Sequence, residues 1–307
     1  MSIAERIPAF AGSARLQSAT QLKGPAAAPR PATGKHALGQ RALPRRKWRG
    51  EPAFVNPTLR NIALGLAVPL SLLLAWQLGT QYGWVPEQIL PAPAVVWDTI
   101  LAGLQDGSLL SDTSISLARV ARGFALGGAV GLLLGAGLAL SSRLRGYVDP
   151  LFLAVSQVPL IGWIPLLIML VGIDEALKTI IIALATFIPV TFGTYQGIRD
   201  VPAAYREIGQ VFTFDRRDTF RLVILPAALP AIFTGLREGL SNGWQTLVAV
   251  ELLASTEGLG YQMAYGRQLF QLELVITAMV VIGLIGFAFD WVLGRIAQHL
   301  QRWQVPA

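Results

Sequence analysis

The chain has 307 residues, of which 53% are hydrophobic and only 14% are charged, and its mean hydropathy is +0.52. A soluble core of ordinary composition cannot bury this much apolar surface, so the composition predicts an all-α protein that crosses a membrane several times. The absence of cysteine excludes disulfide bonds and thiol-ligated metals. No G-x-x-x-x-G-K-[ST] loop occurs, so any ATP-driven process would require an ATPase on another chain.

The positive charge is unevenly distributed along the chain. The net charge is +7, and ten of the 25 Lys and Arg residues fall within residues 1–57. This distribution indicates membrane orientation rather than binding to nucleic acid. The two histidines, His36 and His299, lie in the polar tails, which leaves no imidazole within the predicted spans for metal binding.

Residues 1–57 are rich in Ala, Pro, Gly, Ser and Arg, and they predict a disordered basic cytoplasmic tail. Its last part, Arg41–Arg49, is a basic cluster that serves either as a contact to anionic membrane lipid or only as an orientation signal. Residues 58–116 are then predicted to hold the first transmembrane helix, at 59–80, and an outer interfacial segment with one surface helix near 95–104.

The core of the predicted membrane domain is residues 117–298, and its second span, at 117–140, has small residues at every fourth position. One helical face is therefore nearly bare backbone, so another helix can approach it closely. Arg119 and Arg122 lie at the predicted outer end of this span, against the rule that positive charge lies inside. The small residues are Gly123, Gly127, Gly131, Gly135 and Ala139.

The remaining spans are predicted at 150–171, 176–198, 226–254 and 272–294. Interior prolines in the third and fourth spans indicate that these helices face other helices, since lipid cannot satisfy freed backbone carbonyls. The fifth span repeats the pattern of small residues, which predicts a second close-packing seam. Six crossings place both termini in the cytoplasm and leave residues 299–307 as a C-terminal tail. The small residues of the fifth span are Ala227, Ala231, Gly235, Gly239 and Gly243.

A polar amphipathic insert, residues 203–222, separates the fourth and fifth spans. Apolar residues at helical spacing, followed by Asp215 and Asp218 ahead of a second apolar run, predict two short helices with a bend near Thr213–Asp215. Pro226 then allows a new helix to begin, since its missing amide does no harm in a first turn. Such a helical pair presents side chains outside the bilayer, and the alternative is a solvated loop between two spans.

The insert and its flanks resemble a known signature. Glu207, Gly209, Val223 and the pair Leu225-Pro226 are similar to the E-A-A…G…I-L-P pattern of inner-membrane permeases of ATP-binding-cassette (ABC) importers. In that family this stretch is a coupling-helix pair that docks into a groove of the cytoplasmic ATPase. The resemblance implies that the following residues couple the chain to the ATPase: Glu207, Ile208, Gly209, Thr213, Phe214, Asp215, Arg216, Leu225 and Pro226.

Two positions depart from the family pattern. Ile208 stands where the family has alanine, and Thr213 stands where it has glycine. If the glycine adopts a left-handed backbone angle, a β-branched threonine costs about 1–2 kcal/mol at the same position. We therefore expect the bend of this chain to have a different shape.

Arg237 and Glu238 are adjacent on the fifth span, about 16 Å along the helix from Pro226 and therefore near the membrane midplane. A charge at that depth costs about 3 kcal/mol, so both side chains should face protein or water. We hypothesise that Arg237 lines the translocation path and attracts an anionic solute. The alternative is a structural ion pair within the membrane, and the polar partners suggested by sequence are Thr191 and Thr194.

Further polar residues follow on the last two spans. Trp244 and Thr246 lie about two turns after the charged pair and are predicted to line the same path. Glu251, near the outer end of the fifth span, and Asp290, on the sixth, are either interfacial caps or ion-pair partners, or else path residues. The path residues predicted from sequence are thus Arg237, Glu238, Trp244 and Thr246.

Several stretches extend the resemblance to one subfamily, the nitrate, sulfonate, taurine and bicarbonate permeases. The resemblance implies a type I importer fold, two permease copies that form a homodimer, a cytoplasmic ABC ATPase dimer and a periplasmic solute-binding protein, in a bacterial inner membrane. It also implies that ATP is bound by the ATPase and that the permease has no catalytic site or cofactor of its own. The stretches include L-P-A-P-A-V-V-W at 90–97, S-L-A-R-V-A-R-G-F at 116–124, Q-V-P-L-I-G-W-I-P-L-L-I at 157–168, V-G-I-D-E-A-L-K at 171–178 and G-W-Q-T-L-V-A-V-E-L at 243–252.

The resemblance favours a small anionic solute, with an aliphatic sulfonate or taurine ahead of nitrate, bicarbonate or an uncharged aromatic compound. Without the resemblance, the residues themselves leave two other classes of function as alternatives. A secondary transporter driven by an ion gradient would need a relay of membrane carboxylates, which only Glu238 is deep enough to begin. A membrane anchor for a signalling complex would explain the insert but not the charges at the midplane.

Overall fold

The structure is a computed structural model that describes residues 57–300. Side chains are described from residue 65 onward, apart from those of Arg206, Ile208, Gln210 and Leu300. The tails predicted at 1–57 and 299–307 fall almost entirely outside the described residues, so both stay predictions.

Residues 57–300 form helices joined by short turns, without a strand, which confirms the all-α prediction. The helices in chain order are α1 (Pro57–Gln81), α2 (Pro93–Gln105), α3 (Ser108–Leu140), α4 (Ser142–Ser156), α5 (Leu160–Val171), α6 (Glu175–Arg199), α7 (Ala203–Val211), α8 (Arg216–Asp218), α9 (Leu225–Ala254), α10 (Leu259–Gln268) and α11 (Leu272–Leu300). A π-helical stretch, Thr219–Ile224, connects α8 to α9.

Four helical segments in the described part of the chain are long and apolar enough to cross a membrane: α3, α6, Arg216–Ala254 and Leu272–His299. They correspond to the second, fourth, fifth and sixth predicted spans. α1 coincides with the first predicted span, but only part of its side chains is described, so this crossing stays a prediction. The surface helix predicted near 95–104 corresponds to α2.

The third predicted span, 150–171, is not one straight helix. α4 and α5 meet at an angle of 97° across a short break, and together they are long and apolar enough to form one broken span. α4 begins before the predicted start of this span at residue 150, because the Ser141 hydroxyl accepts a hydrogen bond from the Leu144 amide at 3.2 Å and caps the helix. The break follows from Pro159, whose ring disfavours a helical backbone at the preceding residue.

The centre of the bundle is α6, which packs between α3 and α9. On α3, a Cβ atom at Gly127 would collide with the backbone of Ala183 in α6. On α9, a Cβ atom at Gly235 would lie 2.9 Å from the carbonyl oxygen of Pro189 in α6. Both small-residue seams therefore bring helix backbones into direct contact, and the two predictions of close packing are confirmed.

The insert continues directly into the fifth predicted span. α9 begins at Leu225 with Pro226 in its first turn, as predicted, but α8, the π-helical stretch and α9 run without interruption. The Leu225 amide donates to the carbonyl of Phe220, five residues earlier. This wider turn accommodates the following proline ring, which in a regular helix interior would clash with a preceding carbonyl.

Candidate functional site

The insert, residues 203–222, has the predicted bend between two short helices. α7 ends at Val211, and Thr213 has a φ angle of 54°, in the left-handed region. The Asp215 carboxylate then accepts a hydrogen bond from the Asp218 amide at 2.6 Å and caps α8. A different shape was expected because threonine disfavours the left-handed angle, and the structure shows that Thr213 adopts this angle nevertheless.

The tip of the insert is apolar and exposed. Val211 is 81% exposed and Phe212 is 65% exposed, and the Phe212 ring stacks on that of Phe214 with centroids 5.8 Å apart. An exposed apolar surface of this kind is typical of a site that a partner covers. The side chain of Ile208 lies outside the described ones. Of the other predicted coupling residues, Glu207, Asp215 and Arg216 are exposed, Gly209 is buried, and Leu225 and Pro226 are half-buried.

The left-handed threonine leads to a prediction. Replacing Thr213 by glycine removes a steric penalty of about 1–2 kcal/mol but adds a backbone-entropy cost of about 0.5–1 kcal/mol. We therefore expect Thr213→Gly to raise the thermal stability of the purified protein, by about 1 kcal/mol or less. The control Ala204→Gly, within α7, should lower it, because glycine is a poor helix former. A stability loss in Thr213→Gly would contradict the argument.

A polar stripe runs along one face of α9. Thr234, Glu238, Asn242 and Gln245 are exposed and lie three or four residues apart, so they share a helical face. Ser241 lies beside them and is half-buried. A polar face on a membrane-spanning helix indicates contact with protein or water rather than with lipid.

Arg237 lies next to the polar stripe and pairs with Asp290 of α11. The Arg237 Nε and Nη2 atoms lie 2.7 and 2.6 Å from the Asp290 Oδ1 atom. Thr191 and Thr194, the partners suggested by sequence, are instead buried among the helices, where the Thr191 hydroxyl donates to the Phe187 carbonyl at 2.7 Å. The suggested partners are therefore wrong, and the structure supports the ion-pair alternative for Arg237.

α9 and α11 border a cavity of about 290 Å³ that is open to the surface beside the polar stripe, here named the α9–α11 cavity. Trp244 forms one wall and is buried. Its Nε1 donates a hydrogen bond to the Ile282 carbonyl at 3.2 Å, and its ring packs edge-on against the ring of Phe289. Thr246 is half-buried. The roles of Trp244 and Thr246 in a path stay predictions. Other residues that line the cavity are Ser241, Gln245, Gly283, Gly286 and Phe287.

A buried polar cluster lies at the end of the bundle away from the insert, and it contains Glu251, for which an ion pair was one of the predicted roles. Arg119 on α3 is 1% exposed, and its Nη1 atom lies 2.8 Å from the carboxylate of Glu251 on α9, which is also buried. The Ser116 hydroxyl and the Gly260 amide each donate to this carboxylate at 2.9 Å. These hydrogen bonds supply the compensation that a buried pair of charges requires.

Glu175 extends the cluster to α6. Its carboxylate lies 2.5 Å from the Arg119 guanidinium, 3.1 Å from that of Arg122 and 2.9 Å from the Lys178 amine. Arg119 also donates to the carbonyl of Glu257, at 2.7 Å, so one guanidinium joins α3, α6, α9 and the turn before α10. The Arg119 cluster consists of Ser116, Arg119, Glu175, Lys178 and Glu251.

The sequence held a partial signal for the Arg119 cluster. Arg119 is a basic residue at the predicted outer end of its span, contrary to the rule that positive charge lies inside. It also shares a helical face with Ser116, three residues earlier. Gly258 has a φ angle of 103°, and a Cβ atom there would collide with the Glu251 carboxylate. The turn before α10 thus needs glycine because it folds directly onto the buried acid.

The fold and these sites define a class of protein, an integral membrane protein with a polar face on a central spanning helix and an exposed helical insert between two spans. Within the described residues, no group of three or more His, Asp or Glu side chains is placed to hold a metal ion. Residues 127–303 match the model of the binding-protein-dependent transport system inner membrane component. The chain belongs to this family, the permeases of ABC importers.

Several relatives are named for the compounds of their transport systems. The chain is 34% identical over 240 residues to the "Putative aliphatic sulfonates transport permease protein SsuC" of Bacillus subtilis (strain 168), and the matched region covers 78% of this chain and 87% of the relative. It is 31% identical over 264 residues to the taurine transport system permease protein TauC of Escherichia coli (strain K12), with coverage of 84% and 94%. It is 28% identical over 277 residues to the bicarbonate transport system permease protein CmpB of Synechococcus elongatus, with coverage of 86% and 95%. The predicted subfamily is confirmed.

Solved structures show the same fold. The chain is similar to the inward-facing MetNI methionine ABC transporter, with a TM-score of 0.53 and 18% identity, over 60% of this chain and 92% of that chain. It is also similar to an amino acid ABC transporter with histidines, with a TM-score of 0.53 and 15% identity, over 65% of this chain and 98% of that chain. This likeness confirms the predicted type I importer fold.

Proposed function

We propose that this chain is the transmembrane subunit of an ATP-driven importer for a small solute in a bacterial inner membrane. Two copies of the chain assemble with a cytoplasmic ATPase dimer and a periplasmic solute-binding protein, and ATP is bound by the ATPase. The insert and both termini face the cytoplasm. The observation that carries this proposal is the exposed apolar tip of the insert, which a separate protein would cover in a permease of this family.

The chemistry of the tip suits a protein groove. The stacked rings of Phe212 and Phe214, with Val211 beside them, form an apolar centre. Glu207 and Arg216, which are exposed and charged, flank this apolar centre in the sequence. An apolar centre with a polar rim is the usual composition of a protein–protein interface.

The continuous helix from α8 to α9 supports coupling between the ATPase and the transport path. A displacement at the insert is carried along one helix to the polar stripe, because no loop intervenes between them. ATPase closure would push the insert and open the path outward, and hydrolysis would reset it. The permease thus contributes alternating access and no bond chemistry.

Charged surface on α9 and α11 supports a second copy of the chain. The Arg237 and Asp290 side chains are 39% and 55% exposed, and Glu238 is exposed, although all three lie within helices that can span a membrane. A charge that faces lipid at the bilayer centre costs about 3 kcal/mol. We infer that a second copy covers this surface and that the polar stripes of both copies form the walls of a shared aqueous path.

For the solute we propose an aliphatic sulfonate or taurine. Two of the relatives described above are named for these compounds, and a third is named for bicarbonate. This proposal is based on the relatives rather than on Arg237, because Asp290 already neutralises that guanidinium. Nitrate, bicarbonate and uncharged aromatic compounds are the alternatives.

Charge reversal at the edge of the tip tests the docking role. We expect Glu207→Lys to insert normally into the membrane but to reduce the co-purified ATPase by about tenfold or more, because a reversed charge at an interface is repelled by the surface it was complementary to. The control is Glu87→Lys, an exposed acid in the predicted outer segment. Normal co-purification and normal ATP-driven uptake by Glu207→Lys would overturn the docking role.

One observation favours a second candidate function, a transporter driven by an ion gradient. The exposed carboxylate of Glu238 on a spanning helix is a group that can carry a proton or a cation. Uptake in vesicles reconstituted with and without the ATPase separates the two functions. Uptake that requires ATP supports the importer, and gradient-driven uptake by the permease alone would overturn it.

A further inference from the structure

We propose that Glu238 recognises an ammonium group on the transported solute, so that the α9–α11 cavity selects a small zwitterion over a simple anion. This inference rests on the proposed function, because it places the polar stripe on the wall of the transport path. It goes further by assigning the solute a positive group and by naming the side chain that binds it.

The charge balance of the groove between α9 and α11 is the first argument. Arg237 and Asp290 neutralise each other at 2.6 Å, which leaves Glu238 as the remaining charge on this part of α9. Within the described residues, Glu238 accepts no hydrogen bond and lies within ion-pair distance of no cation. The groove therefore has a net negative charge, and it would repel a solute that carries only negative charge.

The second argument is the depth of Glu238. It lies halfway along α9, where an ionised carboxylate without a partner is costly unless water or an opposite charge reaches it. The ammonium group of a solute supplies that opposite charge. In the proposed pair of copies, two Glu238 side chains would border the same path, which strengthens the attraction for a cationic group.

The third argument is the composition of the cavity next to Glu238. Ser241, which lines the cavity, is three residues after Glu238 and is therefore its neighbour on the helix surface, and Gln245 lies one further turn along the same side. Both can donate hydrogen bonds to the oxygens of a sulfonate. Gly283 leaves the opposite wall open, and the Phe287 ring offers an apolar surface to a short carbon chain. The cavity volume of about 290 Å³ accommodates a solute of a few heavy atoms.

These groups define one orientation for the bound solute. The ammonium group lies against Glu238, and the oxyanion lies against Ser241 and Gln245, with its carbon chain beside Phe287. A two-carbon amino sulfonate has both groups at opposite ends. The same sulfonate without its amine would keep the contacts of the oxyanion but would leave Glu238 unpaired and close to a second negative charge.

The test compares two compounds that differ in the amine alone, taurine and ethanesulfonate. The probe is equilibrium binding of each radiolabelled compound to the complete permease–ATPase complex in lipid nanodiscs, without the binding protein, so that the selectivity of the binding protein does not contribute. We expect taurine to bind about tenfold or more tightly than ethanesulfonate. In Glu238→Gln this difference should vanish, whereas the control Glu87→Gln should retain it.

Three results would overturn the proposal: equal or tighter binding of ethanesulfonate, unchanged taurine affinity in Glu238→Gln, or no saturable taurine binding to the complex. Dissociation of the permease pair in Glu238→Gln, seen by size-exclusion chromatography, would also overturn it, because Glu238 would then hold the copies together. The ATPase that co-purifies with Glu238→Gln is measured in the same preparation. Normal co-purification with lost selectivity supports the proposal, and failure of the ATPase to bind even the unmodified permease would instead overturn the proposed function.

Discussion

Replacing Arg119 by methionine is expected to destabilise the folded protein by about 3–5 kcal/mol, because the substitution breaks a buried ion pair by removing one partner. It leaves the Glu251 carboxylate buried without its cation, 2.8 Å from where the guanidinium was. It also removes the contacts that Arg119 makes to Glu175 and to the carbonyl of Glu257. Chemical unfolding of the detergent-solubilised protein measures the loss.

A neighbouring arginine provides the control for this substitution. Arg122 also pairs with Glu175, but its side chain is 53% exposed, so Arg122→Met should cost about 1 kcal/mol or less. The double substitution Arg119→Met with Glu251→Gln should recover most of the stability, because it removes both charges and keeps an oxygen for the Gly260 amide. An Arg119→Met protein no less stable than Arg122→Met would contradict the buried pair.

Replacing Gly127 by alanine is expected to lower stability by about 3 kcal/mol, at the upper end of the usual cost of overpacking. The new Cβ atom would collide with three backbone atoms of Ala183, and a backbone cannot rotate away as a flexible side chain can. α3 and α6 would therefore have to separate along the seam. Thermal unfolding and the yield of folded protein both report this effect.

A glycine in open space is the control for the seam. Gly146 lies within α4, and a Cβ atom added there meets no other atom within 4 Å. Gly146→Ala should therefore stabilise the protein by about 0.5–1 kcal/mol, because alanine is the better helix former. If Gly127→Ala and Gly146→Ala change stability alike, the close approach of α3 and α6 is refuted.

Features with a local cause were predictable from the sequence. The four-residue spacing of glycines on α3 and α9 requires only helix geometry to place them on one face, and the structure confirms both seams. The bend in the insert follows from Asp215, whose side chain caps the next helix whatever lies around it. The family signature in the same segment then identified the class of protein.

Features that depend on distant partners could not be predicted in the same way. Arg119 and Glu251 are 132 residues apart in the sequence. Several other acidic residues were predicted near the outer side of the membrane, so sequence spacing alone could not identify Glu251 as the partner of Arg119. The partner of Arg237 was misassigned to α6 for the same reason, because Asp290 reaches it only once α11 is packed beside α9. The 97° break between α4 and α5 was missed because proline often only bends a helix in a membrane.

The unbroken helix from Arg216 to Ala254 is a long rod with one end anchored. Its 39 residues, at about 1.5 Å each, extend for about 58 Å. If the end held by the buried Glu251 stays fixed, a rotation of only about 5° displaces the opposite end by about 5 Å. In the proposed importer, a stroke of several ångströms at the insert would therefore require only a small rotation near Glu251, which would leave the charged contacts of the Arg119 cluster intact.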